Sequence, residues 1–346
     1  MQNKIKKIVQ HNEFYIFLVI LLISILIQIQ SGQFFTPNNL VDLTSALIVP
    51  GLFAIGAFMI LLSGGIDVSF PALASLSVYA TTQILINMDY QGGMALPVIV
   101  CLIFGGAFGA VNGILISRFK LQPLIVTLGA ASLFKGIMQG VLESVQISVL
   151  PKGMEAFGEA SLFVAKNPES GLTSRMPSAI LVLVVVLIIV YFILNHTMYG
   201  RGIYAIGGNE ISAERAGFNV KRIKLTLYIA VGMISSLAGL IRVCMMGQLH
   251  PTNMLGMEMM IIAGVVLGGV AITGGAGTLL GCILGTMLIV LVQNSLILLG
   301  IPTFWQGLFL GVLIIVGTGI SALKIQKKRK IKKQSKNGRR IGNETV

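Results

Sequence analysis

Charge is what this sequence has least of. Only 11% of its 346 residues are Asp, Glu, Lys or Arg, and 55% are hydrophobic, whereas an ordinary soluble domain carries roughly 25% charged residues. That shortfall excludes a water-soluble globule. Cysteine is nearly absent: Cys101, Cys244 and Cys282 stand singly in apolar runs, without metal-ligand spacing, and read as small packing residues. The histidines, His11, His196 and His250, are far apart and form no H-E-x-x-H. There is no Gly-Lys dipeptide, hence no Walker A loop. Gly275-Ala276-Gly277 does not complete G-x-G-x-x-G, because the next glycine is Gly281 and no strand precedes. The chain therefore cannot use ATP by itself, has no convergent catalytic set and indicates no cofactor or metal site. Ionisable groups near or inside apolar runs are limited to Asp67, Lys135, Arg242 and Glu258, which argues against a proton- or ion-driven carrier. Asp67 has two readings: a working buried charge, or a group serving the start of the third helix.

Apolar runs are abundant, and the mean hydropathy is +0.90. In hydrocarbon a helix satisfies its own backbone hydrogen bonds, so each run of about 20 residues reads as a membrane-spanning helix. The expected fold class is an all-α polytopic membrane protein with ten spans, at 14–29, 46–62, 70–86, 96–116, 122–142, 177–195, 223–243, 258–273, 278–299 and 303–323. Lys4, Lys6 and Lys7 before the first run resemble a signal peptide, but no A-x-A cleavage site follows, so the run is kept as a span. The expected organisation is a cytoplasmic N-terminus at 1–13, a transmembrane domain at 14–323 and a cytoplasmic tail at 324–346. With the N-terminus inside, twenty Lys/Arg fall on cytoplasmic segments and three (Lys152, Lys166, Arg175) outside, which predicts an N-in, C-in topology. The formal charge of +13 is concentrated in the tail, where ten Lys/Arg meet one Glu. This suits anionic lipid headgroups rather than nucleic acid.

Two joints between spans are short: 63–69, with Gly64, Gly65 and Asp67, and 274–277, opening on Gly274-Gly275. They read as tight cytoplasmic turns or as unwound backbone within the membrane. The external loop 143–176 is interrupted by Pro151, Gly153, Pro168 and Gly171, and reads as a partner contact or a plain connector. In the cytoplasmic loop 196–222, Asn209 suits an N-cap, Glu210 the positive helix start and Gly217 a C′ stop, predicting a two-turn helix at 210–216. Two turns are marginal alone. Ile211 and Phe218 either present an apolar edge to a partner or lie on the chain's own bundle. Glycine, 41 residues, recurs every four positions at Gly105, Gly109 and Gly113, at Gly264 and Gly268, and at Gly277, Gly281 and Gly285. These smooth helix faces suit close packing, or sliding during gating. Asn112, Gln139, Gln293 and Asn294 are polar groups for interhelical hydrogen bonds or for a translocation path.

Four segments carry a family resemblance. Ser63-Gly64-Gly65-Ile66-Asp67-Val68-Ser69 resembles "GGIDLS", and Pro123-Leu124-Ile125-Val126-Thr127-Leu128-Gly129 resembles "PFIVTLG". Tyr199-Gly200-Arg201 through Gly207-Gly208-Asn209 resembles "GR-x-x-YAIGGN", and Val265-Val266-Leu267-Gly268-Gly269 with Gly274-Gly275-Ala276-Gly277 resembles "VVLGG…GG-x-G". In this order they are similar to the permeases of ribose/xylose-type ABC sugar importers, a family that includes autoinducer-2 importers, over residues 45–322. The resemblance implies a permease of the bacterial inner membrane that works by alternating access. It also implies three partners: a second permease subunit, identical or paralogous, a cytoplasmic ABC ATPase and an extracytoplasmic solute-binding protein. The ATPase would grip Gly207, Gly208, Asn209, Glu210, Ile211, Ser212, Ala213, Glu214, Arg215, Ala216 and Gly217, while Gly64, Gly65, Asp67, Gly268, Gly269, Gly274 and Gly275 would serve gating or packing. The chain departs from the pattern at Phe70-Pro71, commonly Val-Gly, and at Ala213-Glu214-Arg215-Ala216-Gly217, which lacks the acidic-Ala-Ala form. An ion-coupled secondary transporter is the alternative.

Overall fold

A computed structural model of the chain describes residues 12–319, apart from 144, 169–170, 310, 313–314 and 316–318. The helices are α1 (Asn12–Ser31), α2 (Pro37–Leu62), α3 (Phe70–Asn87), α4 (Ala95–Ser117), α5 (Pro123–Gly140), α6 (Lys152–Glu159), α7 (Ile180–His196), α8 (Met198–Gly208), α9 (Glu210–Arg215), α10 (Val220–Met246), α11 (Met257–Leu267) and α12 (Leu279–Leu298). Prolines open α2, α3 and α5 within their first two positions, where a missing N–H costs nothing. Helix α2 is the axis of the bundle. From Ile48 to Leu62 every side chain is buried, against α10, α12 and α11. Helix α7 is the opposite case: Leu181, Val184, Val185, Ile188, Ile189 and Phe192 are exposed, as befits a surface turned to lipid.

Among the described residues, five helices are long and apolar enough to cross a membrane, namely α1 from Glu13, α2, α4, α10 and α12; α7 with α8, bent by 74°, makes a sixth if the pair is one span. The other expected spans are missing from this set for different reasons. Helices α3 and α5 have 18 residues each but are diluted by Ser, Thr and Gln, and α5 carries Lys135. The expected span at 258–273 stops at Leu267, because Gly268 caps it and Gly269 turns the backbone to φ +88°. Its 11 residues reach only ~17 Å. About half of the expected span at 303–323 falls outside the described residues, as do the whole tail at 324–346 and most of 1–13.

The all-α expectation needs one correction. Within 143–176, helix α6 is followed by strand β1 (Ser161–Lys166), paired antiparallel with β2 (Thr173–Pro177). The Leu162-Phe163-Val164 run suits a pleat, and Gly171, at φ +70°, supplies the turn.

Close helix approach is concentrated on α4 and α10. A side chain on Gly105 would strike Ser236 and the Gly232 carbonyl, one on Gly109 the Tyr228 carbonyl, and one on Gly113 would come 3.0 Å from Leu225. The four-residue glycine spacing is therefore a backbone-to-backbone contact. The bundle has two distinct ends. At one, Thr278 donates to Glu13 at 2.6 Å and the Gly275 amide to the Leu62 carbonyl at 2.9 Å. At the other, the Tyr79 hydroxyl donates to the Leu142 carbonyl at 2.9 Å, and Ile147 bridges to Leu249.

Candidate functional site

The candidate site lies at the first of these ends, where α8, α9 and α10 follow one another almost without a linker. Thr197 starts α8 by accepting from the Gly200 amide at 3.1 Å. This helix is absent from the sequence-based expectation of a loop at 196–209. Gly200, Gly202, Gly207 and Gly208 lower its propensity, by about 1 kcal/mol each relative to Ala. The Ser/Thr/Asn capping pattern at Thr197 is the one signal that points to it.

Asn209 is extended (φ −166°, ψ 111°), and works in both directions. Its amide closes α8 onto Ala205, and its Oδ1 accepts from the Ser212 amide at 2.8 Å to open α9. Gly217, at φ +90°, ends α9, with Gly217 and Phe218 donating back to the Glu214 and Ala213 carbonyls. The helix thus covers 210–215, with Ala216 as its C-cap. Ala213 is buried, Lys224 on α10 pairs with Glu210 at 2.6 Å, and Phe218 sits against Gly202. These contacts fasten a helix too short to stand alone. They also separate the expected apolar pair: Phe218 turns into the chain's own bundle, whereas Ile211 is 63% exposed. Around Ile211 the rim of Ser212, Glu214, Arg215 and Ala216 is exposed as well.

Beneath this elbow three motif segments meet by backbone alone. The end of α2 and its joint contribute the Leu62 carbonyl and Gly64, α8 contributes Gly207, and the second joint contributes Gly274 and Gly275. A side chain on Gly207 would strike the Leu62 carbonyl oxygen and the Gly275 amide. One on Gly274 would lie 2.6 Å from Gly64 and 2.9 Å from Gly207, and one on Gly275 would lie 2.6 Å from the Gly208 amide. Gly64, Gly274 and Gly275 also take positive φ, +82°, +87° and +71°, where L residues are strained. Tyr204 adds a strut, donating to the Gly277 carbonyl at 3.1 Å.

The remaining motif residues lie elsewhere. Gly268 faces Gly281 in the α11–α12 contact, and Gly269 ends α11. Gly65 abuts the Tyr228 hydroxyl, Ile60 and Pro123. Asp67 is buried and its Oδ1 accepts from both the amide and the hydroxyl of Ser69, at 2.7 Å each, just before α3 begins. Ser69 in turn accepts from Asn112 at 2.9 Å, and Thr127 accepts from the Val68 amide at 3.3 Å. Ser69, Thr127, Tyr204, Lys224 and Tyr228 were not singled out by the sequence, because their partners lie on other helices. The four polar path candidates are dispersed. Asn112 is buried on α4 and Gln139 is exposed on α5. Gln293 and Asn294 are half-buried on α12, with Gln293 donating to the Met260 sulfur at 3.0 Å. No hydrogen bond joins the four among the described residues.

Known proteins resemble the chain in sequence over most of its length. The ribose import permease protein RbsC of Escherichia coli K12 is 29% identical over 300 residues, covering 86% of this chain and 90% of the relative. RbsC of Bacillus subtilis 168 is 32% identical over 303 residues, covering 87% and 89%. The L-arabinose ABC transporter permease protein AraH of Azospirillum brasilense is 28% identical over 318 residues, covering 92% and 89%. No solved structure matches the chain. Residues 39–317 match the family described as branched-chain amino acid transport system / permease component. The chain belongs to that family of transport-system permeases.

Proposed function

We propose that the chain is the membrane-embedded subunit of an ATP-driven importer for a small sugar or related polyol-like solute, and that α9 is the surface a separate ATPase grips. The observation that carries this reading is Ile211, an apolar side chain 63% exposed on a helix fastened at its base by Ala213 and by Lys224–Glu210. A short helix held on one side by the buried Ala213, with Ile211 turned outward beside the charged rim of Glu214 and Arg215, offers a partner an apolar point to seat on. The elbow passes directly into α10, and α8 into the glycine junction, so force applied at Ile211 reaches the ends of α2 and α12 through backbone contacts.

The relatives' names supply the solute class, ribose and L-arabinose. The paucity of buried charge suits a neutral solute delivered by an external binding protein. The partner set is then a second permease subunit, identical or paralogous, the ATPase, the binding protein and the lipid of the bacterial inner membrane. Both termini are read as inside on the charge bias of the loops, and the described contacts fall at two ends. Glu13, Leu62, Thr127, Gly207 and Thr278 gather at one end; Tyr79, Leu142, Ile147 and Leu249 at the other. Gln293 and Asn294 are the candidates for the path.

The test is uptake into proteoliposomes holding the permease, its ATPase and its binding protein. Accumulation of a labelled pentose should require ATP. Uptake driven by an ion gradient with no ATPase present overturns the reading.

A further inference from the structure

The α4–α10 contact carries two buried polar atoms with no partner: Tyr228 Oη on α10 and Asn112 Oδ1 on α4. Tyr228 is 2% exposed and Asn112 is fully buried. Both stand at the same level of the same contact, since the neighbours of Asn112 on its helix are Gly109 and Gly113, and each of these lies against Tyr228. The Tyr228 hydroxyl ends beside Gly65, in the same joint as Asp67. The other end of the Asn112 amide is already committed, its Nδ2 donating to Ser69, which donates to Asp67. One orphan is a hydroxyl donor and the other a carbonyl acceptor, so each is what the other lacks. A buried polar atom without a partner destabilises the state that contains it. The surface between them is largely glycine, at Gly105, Gly109 and Gly113 on one side and Gly232 on the other, tied by Cys101 Sγ donating to the Ser236 carbonyl at 3.3 Å, so α4 presents few side chains there to resist a shift of one helix along the other.

We infer that α10 slides or turns on the glycine face of α4 during the transport cycle, and that in the second state Tyr228 donates a hydrogen bond to Asn112 Oδ1. This rests on the importer reading and deepens it by naming the contact that follows the ATPase stroke. Because α10 begins immediately after α9, the stroke reaches Tyr228 two turns into α10. Asn112, through Ser69 and Asp67, passes the change to the joint between α2 and α3. Tyr228 and Asn112 are positioning residues here and touch no solute.

The reconstituted complex tests this with Tyr228→Phe, which keeps the ring and removes only the unpaired hydroxyl. If the hydroxyl merely fills space, Tyr228→Phe imports at the wild-type rate, or faster through greater stability, and the inference is overturned. If it stabilises the second state, ATP-driven uptake falls about tenfold, the worth of one buried hydrogen bond, while the amount of assembled complex and its Tm hold or rise. Asn112→Leu supplies the second arm. In that background Tyr228→Phe should slow uptake no further, whereas two losses that multiply overturn the pairing. Should Asn112→Leu fail to assemble, the Tyr228→Phe rate and Tm still decide. A wild-type complex that imports without ATP sinks the importer reading and the inference together; a normal Tyr228→Phe beside an ATP-dependent wild type sinks the inference alone.

Discussion

Gly207 and Gly208 are adjacent, both at the end of α8, and occupy opposite environments. A methyl group on Gly207 meets the Leu62 carbonyl oxygen and the Gly275 amide, whereas nothing lies within 4 Å of one on Gly208. Backbone atoms have no rotamer to turn away with, so Gly207→Ala must separate α8 from the ends of two other segments. It should cost about 3 kcal/mol, the upper end of the overpacking range. Gly208→Ala should be neutral or stabilising, because alanine favours a helix by about 1 kcal/mol over glycine. Melting of the two purified variants in detergent tests this; equal Tm values would contradict the backbone junction. A similar contrast separates Ile211 from Ala213. Ile211→Asp alters only an exposed side chain, so it should leave Tm unchanged while abolishing co-purification of the ATPase. Ala213→Asp buries a carboxylate under α9 and should lower Tm. A variant Ile211→Asp that still retains the ATPase would remove α9 as the docking surface.

At the scale of the element, α9 shows how six residues persist as a helix. Its nucleation cost is offset by the Asn209 cap, the Gly217 stop, the buried Ala213 and the Lys224–Glu210 pair. The pair contributes little, since Glu210 is about half exposed. The cap matters more. Asn209→Ala should cost about 1 kcal/mol, which hydrogen exchange reads as roughly fivefold faster exchange of the α9 amides, with α10 unaffected. Unchanged exchange would mean that tertiary contacts alone hold the element. This helix was legible in the sequence because its signals are local: a capping side chain, an acidic first turn and a glycine that reverses the chain. Helix α8 was not, since its glycines serve contacts with Leu62 and Gly275 that are distant in sequence, and tertiary packing overrides their poor propensity. The early end of α11 was concealed for a related reason: Gly268 and Gly269 continue an apolar run, and only the φ of Gly269 marks the break. The motif glycines could be picked out one by one, but not the fact that Gly64, Gly207, Gly274 and Gly275 meet at one point.

For the whole molecule, the governing relation is that one helix joins the two ends. Helix α10, 27 residues and so ~40 Å long, starts beside α9 and finishes where the Cys244 carbonyl lies against Gly158 of α6. Whatever tilts its first turn must also move α6, so this chain would couple its two faces through a rigid rod rather than a flexible loop. That holds only if the elbow and the hairpin lie on opposite sides of the membrane, which can be measured directly. The native thiols are buried, Cys101 and Cys282 fully and Cys244 at 2% exposure, so the unaltered chain should give little background with a membrane-impermeant maleimide. Lys166→Cys on β1 and Glu214→Cys on α9 place single thiols at exposed positions. In intact cells Lys166→Cys should label and Glu214→Cys should not; after permeabilisation both should. Labelling of both before permeabilisation would place the elbow outside, beyond the reach of any cytoplasmic ATPase, and the charge bias of the loops would then have misled the assignment.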